Sequence, residues 1–265
     1  MGQAGRLGRH ALLMLAAERP RGPVDEALVI DGFESFAYSQ FHPLHLNIAV
    51  GSKSHFTYAF TLAALRRKGR MTQQQKRVRL KLEFRHGVPD PKAIEKSIAD
   101  LVRIAAPFAK ELGIISDEHP AYPRGFKRLE GIKVTHVQIS SKVARTYLNP
   151  LFPVNLMDLL LRHNSANHKR ETIAYSKRHQ AAIERAAWLI VWRNWGKPYS
   201  ENHGGGTPAM RARLCEGPLS VRKLLDGRRF FTRTAVPGSW QEYYRRGIDT
   251  PGIDNPRRHA MKLAF

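Results

Sequence analysis

Two carboxylates follow apolar runs, one within the first expected strand and one at the tip of the fourth. Asp31 follows the apolar run Leu28-Val29-Ile30, and Asp117 follows Ile114-Ile115-Ser116. Acidic residues are depleted inside strands, and open α/β sheets take up ligands at the carboxyl ends of their strands. Each acid alone has an ordinary reading: Asp117 as a helix cap, Asp31 as a turn residue before Gly32. Together on neighbouring strands they would repel, unless a divalent cation lay between them. A further set, Asn155, Asp158 and Arg162, falls at i, i+3 and i+7, which is one face of one helix. Asn155 offers a neutral carbonyl oxygen, a weaker hard-cation ligand than a carboxylate, and spacing alone equally describes a polar face turned to water. Oxygen ligands of this kind suit two-metal phosphoryl chemistry, in which two cations ~3.5–4 Å apart stabilise the attacking and leaving oxygens.

Other constellations are poorer. His42-x-x-His45 and His163…His168 lack a partner set for a metal. Gly204-Gly205-Gly206 is not followed by Lys and a hydroxyl residue, so it is not a phosphate-cradling loop.

The elements that must carry these residues follow from periodicity. Residues 27–40, 44–50 and 54–61 are rich in β-branched and aromatic side chains and read as an antiparallel meander. Residues 66–81 then carry eight basic side chains and no acid, with Thr72 placed to cap a helix. A helix over 91–104 has apolar residues at Ile94, Ile98, Leu101 and Ile104. Strands at 112–116 and 132–139 flank a short helix at 122–129. Helices at 154–163 and 176–197 follow, with a short one at 219–225. The expected architecture is α/β: a mixed sheet of three antiparallel strands and two further strands, flanked by helices. The expected divisions are a leader at 1–26, a catalytic domain at 27–199 with a basic helical insert at about 64–110, and a basic extension at 200–265.

Charge narrows the partner. Lys and Arg number 44 against 22 Asp and Glu, a net +22 at pH 7. Such a surplus makes most sense beside a polyanion, with nucleic acid ahead of an anionic membrane surface and cationic partners excluded. Cys215 is the single cysteine, which rules out an intramolecular disulfide or a cysteine zinc ribbon and suits a reducing cytosol. The apolar run 11–17 is followed by Glu18-Arg19-Pro20-Arg21, not a small-residue cleavage site, so it is not taken as a secretion signal.

Four segments carry a resemblance: VIDGFESFAYSQFHPLHLNIAVG, SDEHPAYP, NPLFPVNLMDLLLRHNSANHKRETIAYSKR and VWRNW. Across residues 24–199 the chain resembles the catalytic domain of bacterial insertion-sequence transposases of the DDE type. The resemblance implies a ribonuclease H-like fold and Mg²⁺- or Mn²⁺-dependent DNA cleavage and strand transfer with two ions. It places the first acid on Asp31, the second on Asp117 and the third position on Asn155, with Arg162 as the basic residue two turns later. Asp158, one turn from Asn155, is a candidate assisting or substitute ligand. Glu171 is a third alternative, but on a continuous helix it would lie ~24 Å from Asn155. Lys142, Arg145, Arg162, Lys169, Arg170, Lys177 and Arg178 are the expected DNA contacts. DNA is the expected partner, bound by a dimer or higher oligomer near the bacterial nucleoid, without a membrane. Two other readings remain: a catalytically decayed transposase that only binds nucleic acid, and a metal-dependent nuclease that cuts without joining.

Overall fold

The computed structural model describes residues 3–169, 174–200, 204–227 and 229–253. Five strands form one sheet: β1 (Leu28–Phe36), β2 (Pro43–Gly51), β3 (Thr57–Ala64), β4 (Glu111–Ser116) and β5 (Lys133–Gln138). Their order is β3-β2-β1-β4-β5. β1 and β3 run antiparallel to β2, whereas β4 and β5 run parallel to β1. This is the mixed sheet of three antiparallel strands and two further strands that the sequence leads one to expect. Short connectors force the first three strands into hairpins; helical crossovers allow the last two to run parallel.

β1 sits at the centre with Leu28, Val29, Ile30 and Phe33 all buried. On one face lies α3 (Ala93–Ala105), whose Ser97 side chain accepts from Asn47 of β2 and donates to Thr61 of β3, each at 2.8 Å. That network gives the Asn47 amide N–H and the Thr61 hydroxyl buried partners between two largely apolar strands. On the opposite face lies α5 (Phe152–Asn164), whose Arg162 guanidinium stands 4.5 Å over the Phe33 ring. Strand alternation puts Asp31 on that same face as Phe33.

Helices outside the expected catalytic segment pack against it. The segment set apart as a leader contributes α1 (Gln3–Ala17), with Ala11 and Leu12 fully buried. It packs against α6 (His179–Val191) so closely that a methyl group on Gly8 would lie 2.5 Å from Cβ of Glu184. The apolar run of a would-be signal is therefore a core helix, because α6 offers it an apolar partner. The insert is half core as well: α3 buries Ile98, Leu101 and Val102, and only α2 (Gln73–His86) stands clear of the sheet with no buried residue.

The C-terminal extension is also tied in. Its helix Trp240–Arg245 buries Trp240 and Tyr243 against β3. Trp240 donates its indole N–H to the Phe60 carbonyl at 2.8 Å, and the Tyr243 hydroxyl accepts from the Leu62 amide at 2.7 Å. Asn194, from the VWRNW segment, pairs with both the amide and the carbonyl of Thr57. Side chains thus cap the edge strand, which would otherwise invite pairing with another chain. The helix expected at 176–197 is also shorter: α6 begins at His179, and Trp192–Gly196 widens into a π-helical turn that aims Asn194 at β3. Among the described residues no helix is long and apolar enough to cross a membrane.

Candidate functional site

β1 and β4 pair with Leu28 opposite Ile114 and Val29 opposite Ile115. Carrying that register forward places Asp31 level with Asp117, on adjacent strands whose spacing is ~4.8 Å. The offset of the two acids in sequence equals the offset of the strand register, so the sheet brings them side by side. Both are partly exposed, Asp31 within β1 and Asp117 just beyond the end of β4.

Two groups hold Asp31. The Gly32 amide donates to its Oδ1 at 2.7 Å, and the Tyr122 hydroxyl of α4 (Ala121–Phe126) donates to the same oxygen at 3.3 Å. Burial nevertheless pushes the Asp31 carboxyl above its ordinary range, and the charge of Asp117 pushes it further. Asp117 is held through its Oδ1, which accepts from the His119 amide at 2.9 Å. Across the sheet face stands Asp158 of α5. Burial raises its pKa well above the usual carboxylate value, and the Asp31 charge adds to that, while Arg162 and Arg145 oppose it. Its Oδ1 is buried and has no hydrogen-bond partner. Tyr122 is pushed upward by burial and then by the charges of Asp31, Asp117 and Asp158, so its phenol stays protonated and donating.

Asp158 thus lies within electrostatic reach of Asp31, with Asn155 one helical turn before it. Hard oxygen donors, surplus negative charge and an unpartnered buried carboxylate oxygen fit a divalent cation in chemical type. Among the described residues, no three His, Cys, Asp or Glu side chains are grouped tightly enough to enclose an ion as they stand. Asp31 and Asp117 form the register-matched pair, and α5 carries two further oxygen-bearing side chains, Asn155 and Asp158.

Gly32 makes this arrangement possible. A Cβ there would lie 1.8 Å from Nε2 of His45, whose ring is buried against it. Gly32→Ala should therefore cost about 1–3 kcal/mol by overpacking and displace Asp31 as well. The first effect is read from the urea midpoint and the second from lost metal-induced stabilisation. Tyr122, Gly32 and His45 escaped sequence reasoning. Their one legible signal is position, since each lies within the segments that carry the resemblance.

The expected DNA contacts divide. Lys142 and Arg145 are exposed on the loop before α5, and Arg145 is near enough to Asp158 to oppose its rise. Lys169 and Lys177 are also exposed, with the Lys177 ammonium 5.6 Å from the Tyr175 ring. Arg178 is partly buried at the start of α6. Arg162 points inward: besides stacking on Phe33, it donates to the His168 carbonyl at 3.2 Å and the Glu34 carbonyl at 3.4 Å. It fastens α5 to β1 because the aromatic face and two carbonyls are its nearest partners. Arg170 and Glu171 lie outside the described residues.

The basic run 66–81 is sorted in the same way. Glu83 binds Arg66 through two hydrogen bonds of 2.7 and 2.8 Å and pairs with Arg79 at 3.4 Å. Lys68, Arg70, Lys76, Arg77 and Lys81 remain exposed. Neutralising Lys68, Arg70, Lys76 and Arg77 together should weaken duplex binding similarly on all sequences. It should also flatten the slope of log K against log salt by about 3–4. An unchanged slope would show that these charges face only water.

No protein-family model matches the sequence, and no curated protein matches it. Among solved structures, the chain is similar to the HTLV-2 integrase catalytic core domain in complex with magnesium, described as a dimeric form. Identity there is 16% and the TM-score 0.30, over 73% of this chain and 98% of that one. It is also similar to a chain of the simian T-cell lymphotropic virus intasome in complex with PP2A regulatory subunit B56 gamma. Identity is 14% and the TM-score 0.30, over 76% of this chain and 60% of that one.

Proposed function

We propose that this chain is a DNA strand-transferase of the DDE type, cutting and joining phosphodiesters with divalent metal ions held by Asp31, Asp117 and an oxygen of α5. The observation that carries this reading is the register that sets Asp31 beside Asp117 with Asp158 facing them. A purely passive DNA-binding protein gains nothing from three carboxylates gathered within a cationic surface. Their mutual repulsion destabilises the fold unless a cation offsets it. Magnesium or manganese, when bound, would activate the attacking oxygen and stabilise the leaving one. The chain's own groups do the rest. Asp31 and Asp117 present oxygens from rigid strands, Tyr122 orients Asp31, and Arg162 holds α5 against β1. Lys142, Arg145, Lys169 and Lys177 draw the DNA backbone toward the acids.

The test is incubation of the full chain with Mg²⁺ and DNA from the ends of its own element, scoring nicked and joined products separately. Metal-dependent joining supports the strand-transferase. Nicks without joined products support a nuclease, and binding without either favours a decayed copy.

A further inference from the structure

An exposed phenylalanine on a basic helix needs an explanation. Phe84 of α2 is 93% exposed, with Leu80 at 54% and Val88, just past the helix, at 57%. The helix is held firmly in place. Thr72 closes its first turn with a capping box, and Gly87 ends it at φ 83°. Its inner side is pinned by the Glu83–Arg66 pair and by Arg79, which donates to the Arg67 carbonyl at 3.2 Å. Glu83 is the one acid of this helix and it is spent inward.

The outward face is therefore uniform in sign. Arg77, Leu80, Lys81 and Phe84 fall at i, i+3, i+4 and i+7, a single stripe, and all four are exposed. Lys76 and Arg85, also exposed, flank it. A second copy of the same face would set like charges against each other, which disfavours pairing between two such helices. A partner must combine dense negative charge with small apolar targets. The major groove of a duplex does so: phosphates border it and thymine methyl groups line its floor. At 14 residues the helix is ~21 Å long, enough to lie in that groove.

We infer that α2 is a sequence-reading helix that enters the DNA major groove, with Leu80 and Phe84 against thymine methyls and Arg77, Lys81 and Arg85 on the flanking phosphates. This rests on the proposed DNA chemistry but adds a site and a base preference to it.

The probe is a pool of random-sequence duplexes offered to the full chain at moderate salt, followed by measurement on the enriched duplex. The wild type should enrich a thymine-containing motif. Replacing its thymidines by deoxyuridine removes only the methyl groups, and should weaken binding about tenfold. The double variant Leu80→Ala with Phe84→Ala should lose both the enrichment and the methyl dependence, while its binding to unselected duplex stays within about twofold. Both side chains are exposed, and a matching thermal melt confirms that the variant folds. Absence of a motif, a motif that survives the double variant, or equal affinity for thymidine and deoxyuridine duplexes would each overturn the inference. So would a double variant with unchanged DNA selection that no longer binds an amphipathic Glu/Leu helical peptide, which would assign the face to an acidic protein partner. Asp31→Asn separates the two claims, because it should keep the motif while losing cleavage. A motif without metal-dependent cutting by the wild type would defeat the proposed chemistry alone.

Discussion

Asp31→Asn and Asp117→Asn, each alone, should abolish metal-dependent cutting and joining, with rates falling by at least about 10²–10³-fold. Neither should unfold the protein. In both, an isosteric amide relieves the repulsion that burial and the neighbouring acid impose on Asp31. Without metal, the variants should melt at or above the wild-type temperature. Adding Mg²⁺ or Mn²⁺ should raise the wild-type melting temperature, because ligands that bind only the native state stabilise it, and should raise that of the variants much less. A variant that keeps both its activity and its metal-induced shift would remove that acid from the site. Loss of activity with an unaltered metal shift would place the ions elsewhere.

The second large effect concerns α5. Asn155→Ala should abolish metal-dependent joining, Asp158→Ala should weaken it, and Asn155→Glu should retain it with tighter metal binding. Asp158 makes a further measurement possible. Its carboxyl has a folded pKa well above 3.8, chiefly from burial and then from Asp31. A raised carboxylate stabilises the fold only while protonated. Stability of the metal-free protein should therefore be greatest below pH ~4 as far as this group is concerned, and should fall as pH rises through the folded value. Asp158→Asn should remove that decline and raise the melting temperature at neutral pH, by about 2–4 °C for each kcal/mol of relieved cost. Chelator-treated protein melted across a pH series provides the check. If Asp158→Ala is inactive while Asn155→Ala turns over normally, the third oxygen belongs to Asp158.

The strands, the order of helices and the two candidate acids were legible because each rests on a local signal. Alternating and apolar runs mark β1 to β4. The capping residue Thr72 marks the start of α2. A carboxylate ending an apolar run is a conflict between residue and propensity that needs no partner to be noticed. Charge composition, likewise, needs only counting.

What depended on distant contacts could not be read in this way. The run 11–17 is apolar enough for a core helix or a leader, and only α6 crossing at Gly8 decides for the core. Trp240 and Tyr243 look like isolated aromatics in a basic tail, yet they cap an edge strand about 180 residues earlier in the chain. Arg162 has the right spacing to face DNA, but the Phe33 ring and two carbonyls turn it inward. Spacing along one helix states which residues share a face, not what that face meets. The amino-acid sequence by itself determined the strands, the helices from α2 to α6, the cationic character and the candidate pair Asp31 and Asp117. The tertiary structure decided that Asp158 lies near enough to feel the Asp31 charge, that Tyr122 and Gly32 hold Asp31, and that α1 and the helix Trp240–Arg245 are part of the core. Those outcomes depend on which surfaces bury one another, and burial is a property of the packed chain, not of any segment.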